Sequence, residues 1–273
     1  MFSIFRRRQQ KTALNLYRIA DLDAARKFDG LAVIQAALTA LGTVSAAEPR
    51  MYGANYSHEW RDWDAFATGV SRLSALTFAD VSFARDEHSL LYRNSLLNFV
   101  EPPELGSIHV GLSMPATEGS FDRMTSLATT LCGLFPFEYG YVHSLPSNVL
   151  AFTENKIRKT LLGNSVRVDR RANIWQYHLA AIRSGFLRSV YPVNVLNESH
   201  LANPSIDRLL QCRTGVVLPF VGKLSIWRLS EHELSAALEA LAESGSLIWH
   251  ESGVDKFLAR PQAHEIHSRM SAV

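Results

Sequence analysis

The chain has 273 residues, 47% of them hydrophobic and 20% charged, with a formal net charge of +2. That is enough apolar material for one large core and too little net charge to predict nucleic-acid or membrane binding from bulk electrostatics. Two cysteines, Cys132 and Cys212, are too few for a disulfide framework and read as two buried thiols in a reducing compartment, with a single bridge as the alternative.

The N-terminus, residues 1–11, carries Arg6, Arg7 and Arg8 without an apolar stretch behind them, so it reads as a basic tail and not as a secretory signal. No apolar run approaches the ~20 residues of a membrane span. The expected location is the cytoplasm. Residues 12–250 read as one α+β domain, and 251–273 as a peripheral tail.

Leu14 to Ala20 alternates well enough to open a strand. Asp29 is placed to cap a helix with Leu31, Ile34, Leu38 and Leu41 on one face and Gly42 as its stop. Ser57 is the expected cap of a second helix, where Trp60, Trp63, Ala67 and Val70 share a side and pack inward. Asp62 and Asp64 fall off that stripe, which makes them candidates for contact with a partner.

Phe78 to Arg85 reads as a strand, Leu90 to Val100 is ambiguous, and the two prolines after Glu101 mark a loop. Ile108, Val110, Leu112 and Met114 alternate with His109, Gly111 and Ser113, the cleanest period-two run and therefore a half-buried strand. Ser120 is the expected cap of a helix bearing Met124, Leu127, Ala128, Leu131 and Leu134. Tyr139 to Leu145 returns as a strand. Ser147 to Leu162 reads as a helix with Leu150, Ile157 and Leu161 inward, stopped by Gly163-Asn164. Ile174 to Ile182 also leans helical.

The last quarter has the clearest grammar. Val216–Phe220 and Leu224–Leu229 flank Val221-Gly222-Lys223, a hairpin whose Pro219 belongs at an edge or bulge. Ser230 and Glu233 form a capping box, with Leu234, Ala237, Leu238 and Leu241 as the apolar face and Gly245 as the stop. Leu247 to Trp249 closes a C-terminal β-β-α-β unit. Irregular interspersion of strands and helices favours a mixed or mainly antiparallel sheet packed by several helices.

Chemistry is thin by comparison. The phosphate-loop, dinucleotide, nucleophile-elbow and zincin signatures are missing, and no cofactor is implied. His264 and His267 do not complete a zinc site. Cys132 sits on a strongly apolar helix, so a thiolate pair with His143 gives way to a buried, inert thiol. Glu198 and His200 read first as loop residues that tie up local backbone groups; the alternative is acid–base work in a non-local, hydrolase-like site. Lys156, Arg158, Lys159, Arg167, Arg170 and Arg171 could meet phosphate in a nucleic-acid accessory role, or simply form a solvated face. Glu239 and Glu243 offer negative charge on the C-terminal helix, again as partner contacts or as a solvated surface.

Val190-Tyr-Pro-Val-Asn-Val-Leu-Asn-Glu-Ser-His-Leu201, the following Gly215 and Leu224-Ser-Ile-Trp227, and Glu138-Tyr-Gly-Tyr-Val142 together resemble the immunity protein fifty-two family. That family is associated with polymorphic toxins and type VI secretion. The resemblance runs over roughly 12–250 and is sharpest over 189–249. It implies a non-enzymatic protein that binds a cognate toxin and occludes its functional surface, with Asp62, Asp64, Glu239 and Glu243 as candidate contacts.

Overall fold

The protein is described from a computed structural model covering residues 10–44, 48–83, 88–95, 105–151, 155–160, 163–167, 175, 178–248, 250 and 253–259. Its frame is a ten-stranded open sheet in which every strand pairing is antiparallel. The strands are β1 (Gln10–Asp21), β2 (Pro49–Ala54), β3 (His58–Trp60), β4 (Phe78–Phe83), β5 (Ser89–Ser95), β6 (Leu105–Pro115), β7 (Tyr139–Pro146), β10 (Val193–Leu196), β11 (Val216–Pro219) and β12 (Ser225–Arg228). Across the sheet they run β11-β12-β10-β7-β1-β6-β5-β4-β2-β3. A separate hairpin joins β8 (Lys156–Thr160) to β9 (Gly163–Arg167). This is the expected α+β architecture.

Side chains alternate across a strand, so each pairing register fixes two rows of residues, one on each face. On the first face lie Leu14, Leu16, Val81, Tyr92, Ile108, Val110, Leu112, Val142, Val195 and Ile226, in one apolar cluster with buried residues of α2 (Gly30–Val44), α3 (Trp63–Val70) and α4 (Ser120–Leu134). On the second face Tyr17, Ile19, Tyr139, Tyr141 and Trp227 join a second cluster. It is completed by the 3-10 turn Leu179–Ser184, α6 (Pro204–Gln211), α7 (Glu231–Glu243) and Phe257 of α8 (Val254–Leu258). The short α1 (Leu22–Arg26) and α5 (Glu198–Leu201) complete the helices among the described residues.

Local chemistry explains most boundaries. Asp29 accepts from the Ala32 amide at 2.9 Å, as expected for the cap of α2, although the helix runs past Gly42 to Val44. Ser230 and Glu233 form the expected reciprocal capping box on α7, and Gly245 follows in the left-handed region at φ 67°. Two starts differ from expectation. Ser57 lies in the β2–β3 turn, and Asp62 caps α3 instead, accepting from the Ala65 amide at 2.8 Å. A carboxylate directly before the first helical turn outcompetes a serine five residues earlier. Ser120 is already helical, and Gly119 at φ 71° occupies the cap position.

Other expectations are corrected by pairing. β6 is buried on both faces, not half-buried, because His109, Gly111 and Ser113 lie beneath the second layer. The stretch read as a helix from Ser147 to Leu162 instead pairs as the β8–β9 hairpin, with Lys156 opposite Arg167 and Thr160 opposite Gly163. Gly163-Asn164 therefore follows a chain reversal and not a helix end; Leu161 and Leu162 lie outside the described residues. Of the helix expected at Ile174–Ile182, the last residues lie in the 3-10 turn Leu179–Ser184, while Ile174, Gln176 and Tyr177 lie outside the described residues. The last strand shrinks to one bridge in which Leu247 pairs parallel with Leu187, while Trp249 is outside the described residues. Gln10 and Lys11, read as tail, already belong to β1, and Phe257, also read as tail, is 3% exposed in the second core.

Strand β11 ends the sheet, as Pro219 led one to expect. Leu229 donates to Pro192 at 3.0 Å, so the odd residues of β12 bond β10 and the even ones bond β11. In register, Val216 and Leu218 then bond inward while Val217 and Pro219 face outward. Proline has no amide proton, and the Gly215 amide is taken by Glu233 Oε1 at 2.9 Å. The rim keeps one complete outward peptide position, Val217. Among the described residues, no helix is long and apolar enough to cross a membrane.

Candidate functional site

The registers link one residue from every strand into a single second-face row: Glu59, Gly53, Asp80, Leu91, Gly111, Asn15, Tyr141, Asn194, Trp227 and Val217. Burial changes along it. Glu59 and Asp80 are exposed and Leu91 half-buried, whereas Asn15, Tyr141, Asn194 and Trp227 are fully buried.

The buried part is polar and aromatic. Asn15 Oδ1 and His109 Nε2 are 2.9 Å apart, and Asn15 Nδ2 donates to the Ala151 carbonyl at 3.2 Å and lies 3.5 Å from His143 Nε2. The Tyr17 and Tyr141 hydroxyls are 3.2 Å apart. Arg188 donates to the Tyr141 hydroxyl, and its guanidinium carbon sits 3.9 Å above the Trp175 ring centroid. Tyr191 stacks on Tyr141 at 3.9 Å, and Asn194 ties both the amide and the carbonyl of Tyr191. Burial, then the charges of Arg93 and Arg188, hold the His109 imidazole well below its usual range. Asn15, Tyr17, His109, Tyr141 and Arg188 are each at most 2% exposed. These groups contact one another inside a closed layer, and a substrate would reach them only if that layer opened.

Of the two roles open to Glu198 and His200, the structural one is seen for His200 and the acid–base pair does not form. Glu198 points to solvent and meets Lys223 Nζ at 3.3 Å. His200 is buried, with Nδ1 accepting from the Asn197 amide at 3.2 Å, and burial lowers its pKa to about 3 against a smaller opposing contribution from the Phe186 backbone. It is a neutral capping group. Cys132 and His143 lie on opposite faces of the sheet: Cys132 packs on the first-face cluster, while His143 packs with Tyr141 and Tyr191. Burial pushes the Cys132 thiol up to about 12. Cys212 is exposed. In the basic region, Lys156, Arg158, Lys159 and Arg167 are on the β8–β9 hairpin. Arg170, Arg171, His264 and His267 lie outside the described residues. Among the described residues no cluster of His, Cys, Asp or Glu is arranged to hold a metal.

The four carboxylates expected to meet a partner fall at opposite ends. Asp62 and Asp64 begin α3, which packs on β2 and β3; Glu239 and Glu243 lie on α7, in the layer that buries Trp227 of β12. Nine strand spacings of about 4.8 Å separate the two rims by about 43 Å. All four are exposed, and Asp62 is also the helix cap.

The β3 end holds features that the sequence did not disclose. The turn Ala54–Ser57 closes with a 3.2 Å bond and has positive φ at both central residues, Asn55 at 49° and Tyr56 at 63°. Asn55 suits such a turn, and its side chain also accepts from the Thr77 and Phe78 amides at 3.0 and 3.1 Å. Tyr56 stands where glycine is favoured, is 81% exposed, and stacks on Phe78 at 4.0 Å. An Asn-aromatic pair between two strand-forming runs was the available signal. The juxtaposition of Glu59 and Asp80 had none, since it depends on register.

No protein-family model matches the chain, and no curated protein matches it. Among solved structures it is similar to the Pseudomonas aeruginosa T6SS protein PA0821, at 8% identity and a TM-score of 0.51, over 85% of this chain and 73% of that one. At that identity the likeness is one of fold.

Proposed function

We propose that this chain is a cytoplasmic immunity protein that binds a cognate bacterial toxin or secreted effector and neutralises it by covering its functional surface. The observation that carries this reading is the fold shared with a type VI secretion protein over 85% of the chain. The resemblance of 189–249 to an immunity family points the same way. The interior adds support of a different kind. Its histidines, tyrosines and arginine are closed from solvent and engaged with one another, while the exposed carboxylates at both rims suit contact with a basic partner.

The test is rescue. The effector encoded beside this gene is expressed with and without the chain, and the two are then passed together through size-exclusion chromatography. Restored growth together with a co-eluting complex is the expected result. Neither rescue nor complex would sink the proposal.

A further inference from the structure

The second face is covered at one end of the sheet and open at the other. The helices that contact the β3-β2-β4-β5 end, α2 and α3, reach it through first-face residues such as Tyr52, Phe66 and Tyr92. On the second face of these strands, Glu59, Asp80 and Ser82 are exposed and Met51, Phe78 and Leu91 half-buried. The stacked Tyr56 and Phe78 rings border the two carboxylates, Phe78 being two residues before Asp80 on the same strand.

Glu59 and Asp80 flank Gly53 in register. A Cβ on Gly53 would meet Asp80 Oδ1 at 2.4 Å, so the Asp80 carboxylate lies across the glycine toward β3. Burial and then the charge of Glu59 raise the Asp80 pKa. The two like charges oppose each other, and a cation set between them relieves that opposition. Arg93, paired with Phe78 in register, bounds the acidic region on the β5 side. Asp62 and Asp64, just past β3, begin α3 on the first-face side of the same rim.

Tyr56 sharpens the assignment. A non-glycine residue at positive φ costs about 1 kcal/mol or more, and here the side chain held at that cost is almost wholly in solvent. An exposed, stacked aromatic is poor for solubility and good for contact.

We propose that the open second face at the β3 end, built from Tyr56, Phe78, Glu59 and Asp80, docks an arginine- or lysine-bearing segment of a protein partner. The cationic head lies between the Glu59 and Asp80 carboxylates, and its stem or plane lies against the Tyr56–Phe78 stack. This deepens the immunity reading by giving the toxin's contact segment a charge, and it selects the β3 end over the α7 surface of Glu239 and Glu243.

The experiment uses the full chain, labelled with nitrogen-15, and two probes: acetyl-Gly-Arg-Gly-Arg-Gly-amide and the same peptide with glutamate for arginine. The arginine peptide is expected to give saturable amide shifts at Gly53, Glu59 and Asp80. The glutamate peptide is expected to give none. A Glu59→Gln/Asp80→Asn variant should bind about tenfold more weakly, the equivalent of about 1.4 kcal/mol. Tyr56→Gly relieves the backbone and should fold at least as well, yet also bind more weakly. Shifts confined to α7, equal shifts from both peptides, or unchanged affinity in both variants would overturn the proposal. The peptides report on this face whether or not the neighbouring effector is rescued, so failure of the docking site and failure of the immunity reading are separately visible.

Discussion

The two faces of the sheet share every strand and every register, and differ in what covers them and where. On the first face the row Ala54, Ala79, Tyr92, Val110, Leu16, Gly140, Val195 and Ile226 is buried beneath α2, α3 and α4, and it becomes bare only at its two ends, at the exposed His58 of β3 and at β11, where Leu218 is 47% exposed. On the second face the order is reversed. It is closed from β11 inward and bare over β4, β2 and β3. The two helical layers are offset sideways across one sheet. A strand residue's environment is therefore decided by its position along the row as much as by its own alternation.

Substitutions that treat the faces differently test this picture. Leu16→Ala on the first face should cost most, about 3 kcal/mol within a usual range of 2–5, because Leu16 is fully buried in a close-packed core. A urea titration showing a lower midpoint at unchanged slope checks it; a loss below about 1 kcal/mol would mean that the first face is not the dry layer described.

Acid should act next, and through the second face. His109 and His200 are held neutral, their pKa values depressed by burial. The unfolded chain takes up protons at these positions below about pH 6.5 and the folded chain does not. Stability is thus fully present above about pH 6.5 and declines on acidification, toward about pH 3 for His200, by up to about 1.4 kcal/mol per pH unit for each histidine. His200→Asn should be less stable at neutral pH and show a flatter decline between pH 6 and 4. An unchanged slope counts against a neutral buried His200.

Tyr141→Phe removes the hydroxyl that accepts from Arg188 and lies 3.2 Å from the Tyr17 hydroxyl. A cost of about 1–3 kcal/mol is expected, with coupling to Tyr17→Phe in a double-mutant cycle. Simple addition of the two costs would show that the hydroxyls act separately.

The smallest effects separate the surface carboxylates. Asp62→Ala should lose about 1 kcal/mol with the α3 cap, whereas Asp64→Ala, Glu239→Gln and Glu243→Gln should stay within about 0.5 kcal/mol. Thermal melts of the four variants distinguish a cap from a solvated charge.

Where structure was local, the sequence announced it. The Ser230/Glu233 capping box, the Asp29 cap, the Pro219 edge strand and β1, β4 and β7 all rest on residues a few positions apart. Apart from the Ser57 and Ser120 caps, each displaced to a nearby residue, the expectations that failed depended on distant partners. β6 looked half-buried because histidine, glycine and serine alternate with its aliphatic residues; only the second layer makes those positions interior. The β8–β9 hairpin carried helical spacing at Leu150 and Ile157, and cross-strand pairing overrode it. The candidate contacts show the same division. Asp62 and Asp64 were visible as off-stripe carboxylates, but Glu59 and Asp80 are 21 positions apart in the chain and meet only through Gly53.

An open sheet ten strands wide has two ends, and each is a place where another chain could continue the ladder into a fibre. Here one end is the three-residue β3. The other, β11, presents a proline, a glycine amide already held by Glu233, and Val217 as its one complete outward peptide. A growing strand would find a single rung where it needs several. Such a chain can keep a wide, partly bare sheet without seeding polymerisation, and what remains open to contact is the face of the sheet and not its edge.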